Sequence, residues 1–403
     1  MKPSYHKMHA KEQKNSVNIG KSEYLFSMAD ILDYISWRGD LPFSASPFNE
    51  IDSLILCQIS YLNFGGLLKN NDFKERKSLS QLAYEFNSSP DFSARCETGV
   101  LINRLTVKLL FDAASSVRFG GIEATGYVSI IDKQKEEQFS AVTYLIPDKT
   151  AFVSFRGTDD TIVGWKEDFN LAVMDEVPAQ TDAKKYLEQA AAAIERPFRI
   201  GGHSKGGNLA IYAAAHSCDQ TKLRIIEIFN NDGPGFPDSK LKASCFHEII
   251  PLIRSFYPQL SIIGMLFNYA GKYSIVKSSN KGLMQHDPFS WNLKGNSFEL
   301  IGEFDKASSF FHSTFNSWIN GLEKSQRELF VETLFQIIRA TDAETNSQIE
   351  KNILQNSVKI ITAIYRLDPE LRNTFCSLII MLFKAAHKNL PELNELFEKN
   401  SLH

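Results

Sequence analysis

The sequence predicts an α/β fold in which a mostly parallel sheet is covered by helices on both faces. Short β-rich runs alternate with helical patterns between about residue 127 and residue 277, and this alternation is typical of parallel sheets with crossover helices. With 403 residues, of which 43% are hydrophobic and 23% charged, the chain has the composition of a soluble globular protein and can bury a large core. We therefore expect one main α/β domain and a smaller appendage.

The predicted elements of the α/β part follow one another along the chain. Apolar residues at helical spacing indicate helices over residues 27–37 and 50–64, which we expect to lie over the sheet. Two β-rich runs, 127–131 and 140–145, flank a polar turn and predict a hairpin. Further strands are predicted at 150–155, 198–202, 224–229 and 272–277, and further helices at 165–171, 184–194 and 207–215.

The two ends of the chain differ in composition from the α/β part. Residues 1–24 are polar and rich in lysine, which predicts a disordered tail. After about residue 303 the β-rich runs stop and apolar residues recur at helical spacing, so residues 303–403 are predicted to form a helical C-terminal region. The α/β domain is then expected to span residues 25–302. Packing and stability is the simplest role for the C-terminal helices, and docking of a protein partner or of substrate is the alternative.

Charge and cysteine usage limit the partners and the compartment. A net charge of -3 gives no reason to expect a nucleic-acid partner. The five cysteines are odd in number and widely scattered, which fits reduced thiols in the cytoplasm. The N-terminus lacks the apolar core of a secretory signal, and the most apolar late run, 378–383, is far shorter than the roughly 20 residues of a membrane-spanning helix. We therefore expect a cytoplasmic protein without a transmembrane segment.

The clearest sign of chemistry lies at residues 198–207, which read Phe-Arg-Ile-Gly-Gly-His-Ser-Lys-Gly-Gly and precede a helix-prone run. An apolar strand thus runs into Gly-x-Ser-x-Gly and then into a helix, which is the context of a nucleophile elbow. Gly202 and Gly206 carry no Cβ, so the chain can turn sharply while Ser204 takes a strained backbone and presents its hydroxyl group. Ser204 is therefore the candidate nucleophile.

A serine nucleophile needs a histidine base, and the histidine needs an acceptor that orients it. Of the histidines downstream, His216 would point away from the serine along the elbow helix, and His247 lies beside an apolar run. His286 follows the predicted strand 272–277 in a polar loop, where the carboxyl end of a late strand would hold it over Ser204. His286 is the predicted base.

The predicted acid is Asp232, which follows the strand 224–229 in a rigid turn at the same carboxyl edge of the sheet. Its short side chain could accept the far imidazole proton and fix the tautomer of the base. Capping of the turn is the alternative role for an aspartate before glycine. Asp287 and Glu248 are the other candidates for the acid.

Acyl transfer also needs hydrogen-bond donors for the oxyanion. An upstream strand ends in a Gly-Thr turn, and the backbone N–H groups of Thr158 and Lys205 are the predicted oxyanion donors. We expect the charged end of the Lys205 side chain to be solvated. Three acidic residues near the turn are expected to cap or buttress the next helix: Asp159, Asp160 and Asp168.

Two of these segments resemble the fungal-type (class 3) lipases of the α/β-hydrolase superfamily. They are Phe-Arg-Gly-Thr at 155–158, followed by Trp165 and Asp168, and Gly-His-Ser-Lys-Gly-Gly at 202–207. Fungal-type lipases usually carry an apolar residue after the serine, where this chain has Lys205. They also place the acid after the next strand, and residues 248–261 contain no aspartate, which is why Asp232 is the predicted acid.

A closer resemblance is to the bacterial Mbeg-like branch of that superfamily. It is carried by the elbow together with Asn-Asn-Asp-Gly-Pro-Gly-Phe at 230–236 and Gln-His-Asp-Pro-Phe-Ser-Trp at 285–291, and it spans about residues 26–300. The resemblance implies an α/β-hydrolase core, a serine nucleophile at Ser204 and a histidine at His286.

Residues 251–270 are rich in large apolar side chains and allow two interpretations. They could form an insertion that lines an acyl pocket or covers it as a lid, or a helix that packs in the core. The sequence contains no His-Glu-x-x-His, no close cysteine pair and no glycine-rich phosphate loop, so neither a metal nor a nucleotide cofactor is expected.

The leading hypothesis is a cofactor-free serine hydrolase that cleaves a carboxylic ester through a Ser-His-Asp triad. Its expected substrate is a small-molecule acyl ester or a lipid-like molecule. One alternative keeps the fold as a binding scaffold, in which catalysis is weak or lost and the C-terminal helices engage a protein partner. Another is a thioesterase or an amidase, because these reactions share the same tetrahedral step.

Overall fold

A computed structural model of the chain describes residues 29–99 and 102–398, with side chains described through residue 389. Its fold is mixed α/β, with a large central sheet between helices and a set of helices at the C-terminal end. The predicted fold class is therefore confirmed. The predicted disordered tail, residues 1–24, lies outside the described residues.

The strands of the described residues form a large sheet and a small one. Their bounds are β1 Lys77–Ser78, β2 Glu123–Asp132, β3 Glu137–Leu145, β4 Ala151–Phe155, β5 Phe198–His203, β6 Ile225–Asn231, β7 Ile253–Pro258, β8 Tyr273–Val276, β9 Leu293–Lys294, β10 Ser297–Phe298 and β11 Leu300–Ile301. The large sheet has the order β1-β2-β3-β4-β5-β6-β7-β8-β11, and β9 pairs with β10. Strands β4 to β8 are parallel to one another, whereas the pairs at both edges are antiparallel.

Helices connect the strands and continue beyond the last of them. Their bounds are α1 Ile31–Arg38, α2 Glu50–Ile59, α3 Leu79–Ser88, α4 Phe92–Arg95, α5 Leu105–Ser115, α6 Ile162–Asn170, α7 Pro178–Ala193, α8 Lys205–His216, α9 Asp219–Lys222, α10 Asp238–Leu241, α11 Ser244–Ile249, α12 Lys306–Asn320, α13 Lys324–Arg339, α14 Asn346–Lys351, α15 Ile353–Arg366 and α16 Pro369–Glu398. Short 3-10 turns cover Ile250–Leu252, Gly282–His286 and Pro288–Ser290.

Helices cover both faces of the sheet, as predicted. Phe152 in β4 belongs to an apolar cluster with α1, α2, α3 and α5. Its neighbour Val153 belongs to a second cluster with α7 and α8, because successive side chains of a strand point to opposite faces. The sheet is thus buried on both sides, which explains why its central strands read as continuous apolar runs.

The interpretation of residues 251–270 as a core-packing helix is wrong. Residues 253–258 form β7, which pairs in parallel with β6 and β8 inside the large sheet. A short apolar run that is buried on both faces lacks the alternation of a half-exposed strand, so its periodicity cannot separate strand from helix. The predicted hairpin, in contrast, is confirmed as β2 and β3.

The predicted helical C-terminal region is confirmed and packs against the α/β part. Its α12 and α16 share an apolar cluster that contains Trp318 and Leu378. Its α13 packs on α6 through a cluster that contains Ile162 and Phe335, and Thr345 pairs with the residue before α6 in an antiparallel bridge. Within the described residues, no helix combines the length and the apolar character needed to cross a membrane.

Candidate functional site

Ser204 lies between the end of β5 and the start of α8, with φ 57° and ψ -134°. This left-handed backbone is unfavourable for a residue with a Cβ and needs support from its surroundings. The close packing that supplies this support requires glycine on both sides of Ser204. A Cβ on Gly202 would lie 2.6 Å from the backbone oxygen of Phe155, and one on Gly206 would lie 2.1 Å from the same atom. The strand and the helix can therefore approach β4 closely only because both flanking positions are glycine.

The predicted acid and the predicted base are in direct contact. Asp232 follows β6, and His286 ends the 3-10 turn after β8. His286 Nδ1 and Asp232 Oδ2 are 2.5 Å apart. Because an ionised carboxylate can only accept, Nδ1 carries the hydrogen and donates it, which leaves Nε2 as the acceptor nitrogen of the ring. This is the tautomer that a general base requires.

Asp232 is completely buried, and two side chains donate hydrogen bonds to its carboxylate. The hydroxyl group of Ser261 donates to Oδ1 at 2.5 Å, while His286 donates to Oδ2. Burial raises the pKa of Asp232 above its usual value, and the charge and hydrogen bond of His286 oppose that rise. A protonated His286 therefore favours the ionised form of its partner.

The other two candidate acids bond elsewhere. Asp287 accepts a hydrogen bond from the Asn103 side chain at 2.7 Å. Glu248 pairs with Lys222 at 2.8 Å on the surface. Of the three candidates, Asp232 is the one that the structure brings to the predicted base.

His203, the residue before Ser204, connects the elbow to the loop that carries the predicted base. Its Nε2 lies 2.9 Å from the backbone oxygen of His286, and its Nδ1 lies 3.1 Å from the Tyr61 hydroxyl group. A carbonyl oxygen only accepts, so Nε2 carries the hydrogen and Nδ1 accepts from Tyr61. Burial lowers the pKa of His203 well below its usual value, and the charge of His286 adds to this effect. His203 is therefore a neutral link.

The turn that carries Thr158 borders the nucleophile. A Cβ on Gly157 would lie 3.0 Å from Ser204 Cβ and 2.1 Å from the Tyr61 hydroxyl oxygen, so the turn packs against the elbow. The Thr158 hydroxyl group donates to both carboxylate oxygens of Asp168, at 2.6 and 2.8 Å. Burial raises the pKa of Asp168 to about 6 despite the opposing charge of Lys205. The expectation that Asp168 buttresses this region agrees with its bond to Thr158.

The prediction that the Lys205 side chain is solvated is wrong. Only 1% of the side chain is exposed, and Nζ lies 2.7 Å from Glu167 Oε2. The backbone and side-chain oxygens of Gln138 accept the other two ammonium hydrogens, each at 2.9 Å. The carboxylate and these oxygens replace water around the ammonium group, which makes burial possible. Glu167 is 38 residues away along the chain, so no local pattern reveals the pair.

Sequence reasoning missed the supporting residues of this site. His203 stands next to the nucleophile, and its position at the end of a buried strand is the one signal that points to it. Tyr61, Ser261 and Glu167 reach the site through the fold, and nothing in their sequence surroundings marks them.

The sheet is parallel at its centre, and a strand–serine–helix elbow lies next to a buried carboxylate and a histidine at one sheet edge. This is the arrangement of a lipase-like α/β-hydrolase fold. The profile of the Mbeg1-like family matches residues 113–336, which is more than half of the chain. The chain therefore belongs to the Mbeg1-like family. The match begins in α5 and continues past the last strand into α13.

Several solved structures are similar to this chain at low identity. An M37 lipase is 15% identical over 55% of this chain and 71% of its own, with a TM-score of 0.37. A mutant of MDLA from Penicillium cyclopium is 12% identical over 62% and 83%, with a TM-score of 0.35. The Rhizomucor miehei lipase propeptide complex is 13% identical over 53% and 74%, with a TM-score of 0.29. No curated protein matches the chain.

Proposed function

We propose that this protein is a serine hydrolase that cleaves a carboxylic ester with a lipid-like acyl group. Ser204 would be the nucleophile, His286 the general base and Asp232 the residue that orients it. The observation that carries the proposal is the 2.5 Å hydrogen bond between His286 and a fully buried Asp232. These two residues are 54 positions apart in the sequence. Their contact supports the roles of base and acid beside the serine of the elbow.

In the proposed reaction, Nε2 of His286 takes the hydroxyl proton of Ser204 while Oγ attacks the ester carbonyl carbon. The resulting imidazolium is stabilised by Asp232 and then gives its proton to the leaving alcohol. Water, activated in the same way by His286, attacks the acyl-enzyme and releases the acid. Ester, thioester and amide substrates pass through the same tetrahedral step, so the ester is the first member of the class to test.

The oxyanion of the tetrahedral intermediate would be held by the backbone N–H groups of Thr158 and Lys205. Lys205 is the first residue of α8, where N–H groups have no partner within the helix and the helix dipole favours negative charge. Gly157 packs against Ser204 and brings the Thr158 turn to the same place. Each such donor contributes about 2.7 to 4 kcal/mol to lowering the barrier in enzymes of this type.

We further propose a cytoplasmic location for the protein. All of the cysteines lie in the described residues, and all of them are free thiols. Such usage is typical of proteins in a reducing compartment.

A fluorophosphonate probe, which reacts with activated serines, tests the proposal. We expect it to label the wild-type protein and to leave Ser204→Ala unlabelled. Ser115→Ala is the matched control, because Ser115 is an exposed serine on α5 that bonds within its own helix, and it should label like the wild type. An unlabelled wild-type protein, or equal labelling of Ser204→Ala, would refute the mechanism and favour the binding scaffold.

A further inference from the structure

Lys205 and Glu167 form a buried ion pair directly beside the nucleophile. Their side chains are 1% and 0% exposed, and the two charged groups are 2.7 Å apart. The remaining ammonium hydrogens go to Gln138, as described above. Glu167 also accepts from the backbone N–H groups of Ala179 at 2.9 Å and Gln138 at 3.1 Å. Both charges therefore have a complete set of hydrogen bonds.

Stability alone does not explain this pair. The cost of removing two charges from water roughly offsets their attraction, so apolar residues of similar volume serve a protein core equally well or better. The parts of the site that Lys205 and Glu167 connect offer a better explanation of the ion pair.

The pair connects the two predicted oxyanion donors. The amide of Lys205 is one donor, and the side chain of the same residue reaches Glu167 in α6. The next residue of α6, Asp168, accepts the hydroxyl hydrogen of Thr158, whose amide is the other donor. Two consecutive residues of one helix thus hold the residues that carry both donors.

Helix α6 also packs tightly against both parts of this connection. A Cβ on Gly164 would lie 3.0 Å from Thr158 Cγ2 and 3.1 Å from Gln138 Oε1. The helix therefore lies against both Thr158 and the Gln138 side chain that accepts a hydrogen bond from Lys205. A shift of α6 away from Lys205 would carry the Thr158 turn with it.

We propose that Lys205 and Glu167 are positioning residues whose ion pair sets the separation of the Thr158 and Lys205 amides. This inference rests on the proposed function. Oxyanion donors stabilise the transition state more than the bound substrate, so the pair acts on kcat and leaves KM nearly unchanged.

The test is the double variant Lys205→Met with Glu167→Gln, assayed with a p-nitrophenyl ester and with the fluorophosphonate. Both charges are removed together, so no unpaired charge is buried and the protein should fold. We expect kcat to fall about 10- to 100-fold, since a misplaced donor costs part of the 10²–10³ that a missing one costs. KM should stay within about twofold of the wild type, because ground-state binding is not affected.

A matched control is the double variant Arg199→Met with Glu227→Gln. This pair lies near the opposite end of β5 with its charged groups 2.8 Å apart, and it contacts none of the site residues in the described structure. It should keep kcat within about twofold of the wild type. An unchanged kcat in the Lys205–Glu167 double variant would overturn the inference, whereas an inactive, unlabelled wild-type protein would refute the proposed function and the inference with it.

Discussion

The two residues that flank Ser204 are both buried but are accommodated in opposite ways. His203 stays neutral, and its two nitrogens bond to Tyr61 and to the backbone of His286. Lys205 stays paired with Glu167. Imidazole can be buried by losing its proton at little cost near neutral pH, whereas an ammonium group needs a carboxylate partner. Each flank therefore reaches a different part of the candidate site: His203 bonds to the loop that carries His286, and Lys205 bonds to the helix that follows Thr158.

The largest expected effect is a loss of kcat on the side of the site that His203 supports, where Asp232 orients His286. Asp232→Asn keeps the shape of the acid but favours the wrong tautomer of His286, so its Nε2 no longer accepts the serine proton. We expect kcat for a p-nitrophenyl ester to fall about 10⁴-fold, as in other serine hydrolases that lose this carboxylate. Steady-state kinetics at pH 7 would measure it.

The control for this change is Asp287→Asn, one residue after the base. Asp287 bonds to Asn103 and to the backbone of Phe289, so its substitution should lower kcat by no more than about threefold. A larger loss of kcat in Asp287→Asn than in Asp232→Asn would mean that Asp287, and not Asp232, is the acid.

The sequence predicted the parts of the site whose signals are local. The elbow could be predicted because its glycines, its serine and the start of α8 are consecutive in the sequence. The hairpin β2–β3 has its turn between two β-rich runs. The order of strands also placed the turns after β6 and β8 at one edge, which is why Asp232 and His286 could be paired before the structure was known.

Contacts between residues that are distant in the sequence could not be predicted from it. Lys205 contacts Glu167 because the fold brings the start of α8 next to α6. A lysine next to a serine, taken on its own, is expected to be solvated. Strand β7 is buried on both faces, so its apolar run resembled a helix or an insertion. Helices α3 and α5 were not predicted at all, although their buried apolar residues recur at helical spacing.

A second, smaller effect sharpens the role of His203. His203→Leu removes the donor to the His286 backbone oxygen while filling the space. A buried group that loses its hydrogen bond costs about 1 to 3 kcal/mol. If the activation free energy rises by about the lower part of that range because His286 is less well positioned, kcat falls about tenfold. His203→Gln can still donate from its amide and should recover at least about a third of the wild-type kcat. Equal losses in both variants would mean that the hydrogen bond is not what holds the loop.

The smallest expected effect concerns stability, and it distinguishes the neutral flank from the charged one. Because burial lowers the pKa of His203 well below its usual value, the unfolded chain binds a proton near pH 6.5 that the folded protein does not. Stability from this group is complete above that pH and is lost as the pH falls toward the folded-state pKa. Between about pH 7.5 and 5.5, the free energy of unfolding of the wild type should fall more steeply than that of His203→Gln, by up to about 1.4 kcal/mol per pH unit, and urea titrations at each pH would measure the two slopes. Parallel curves for the wild type and His203→Gln would show that His203 takes up a proton in the folded protein as easily as in the unfolded chain.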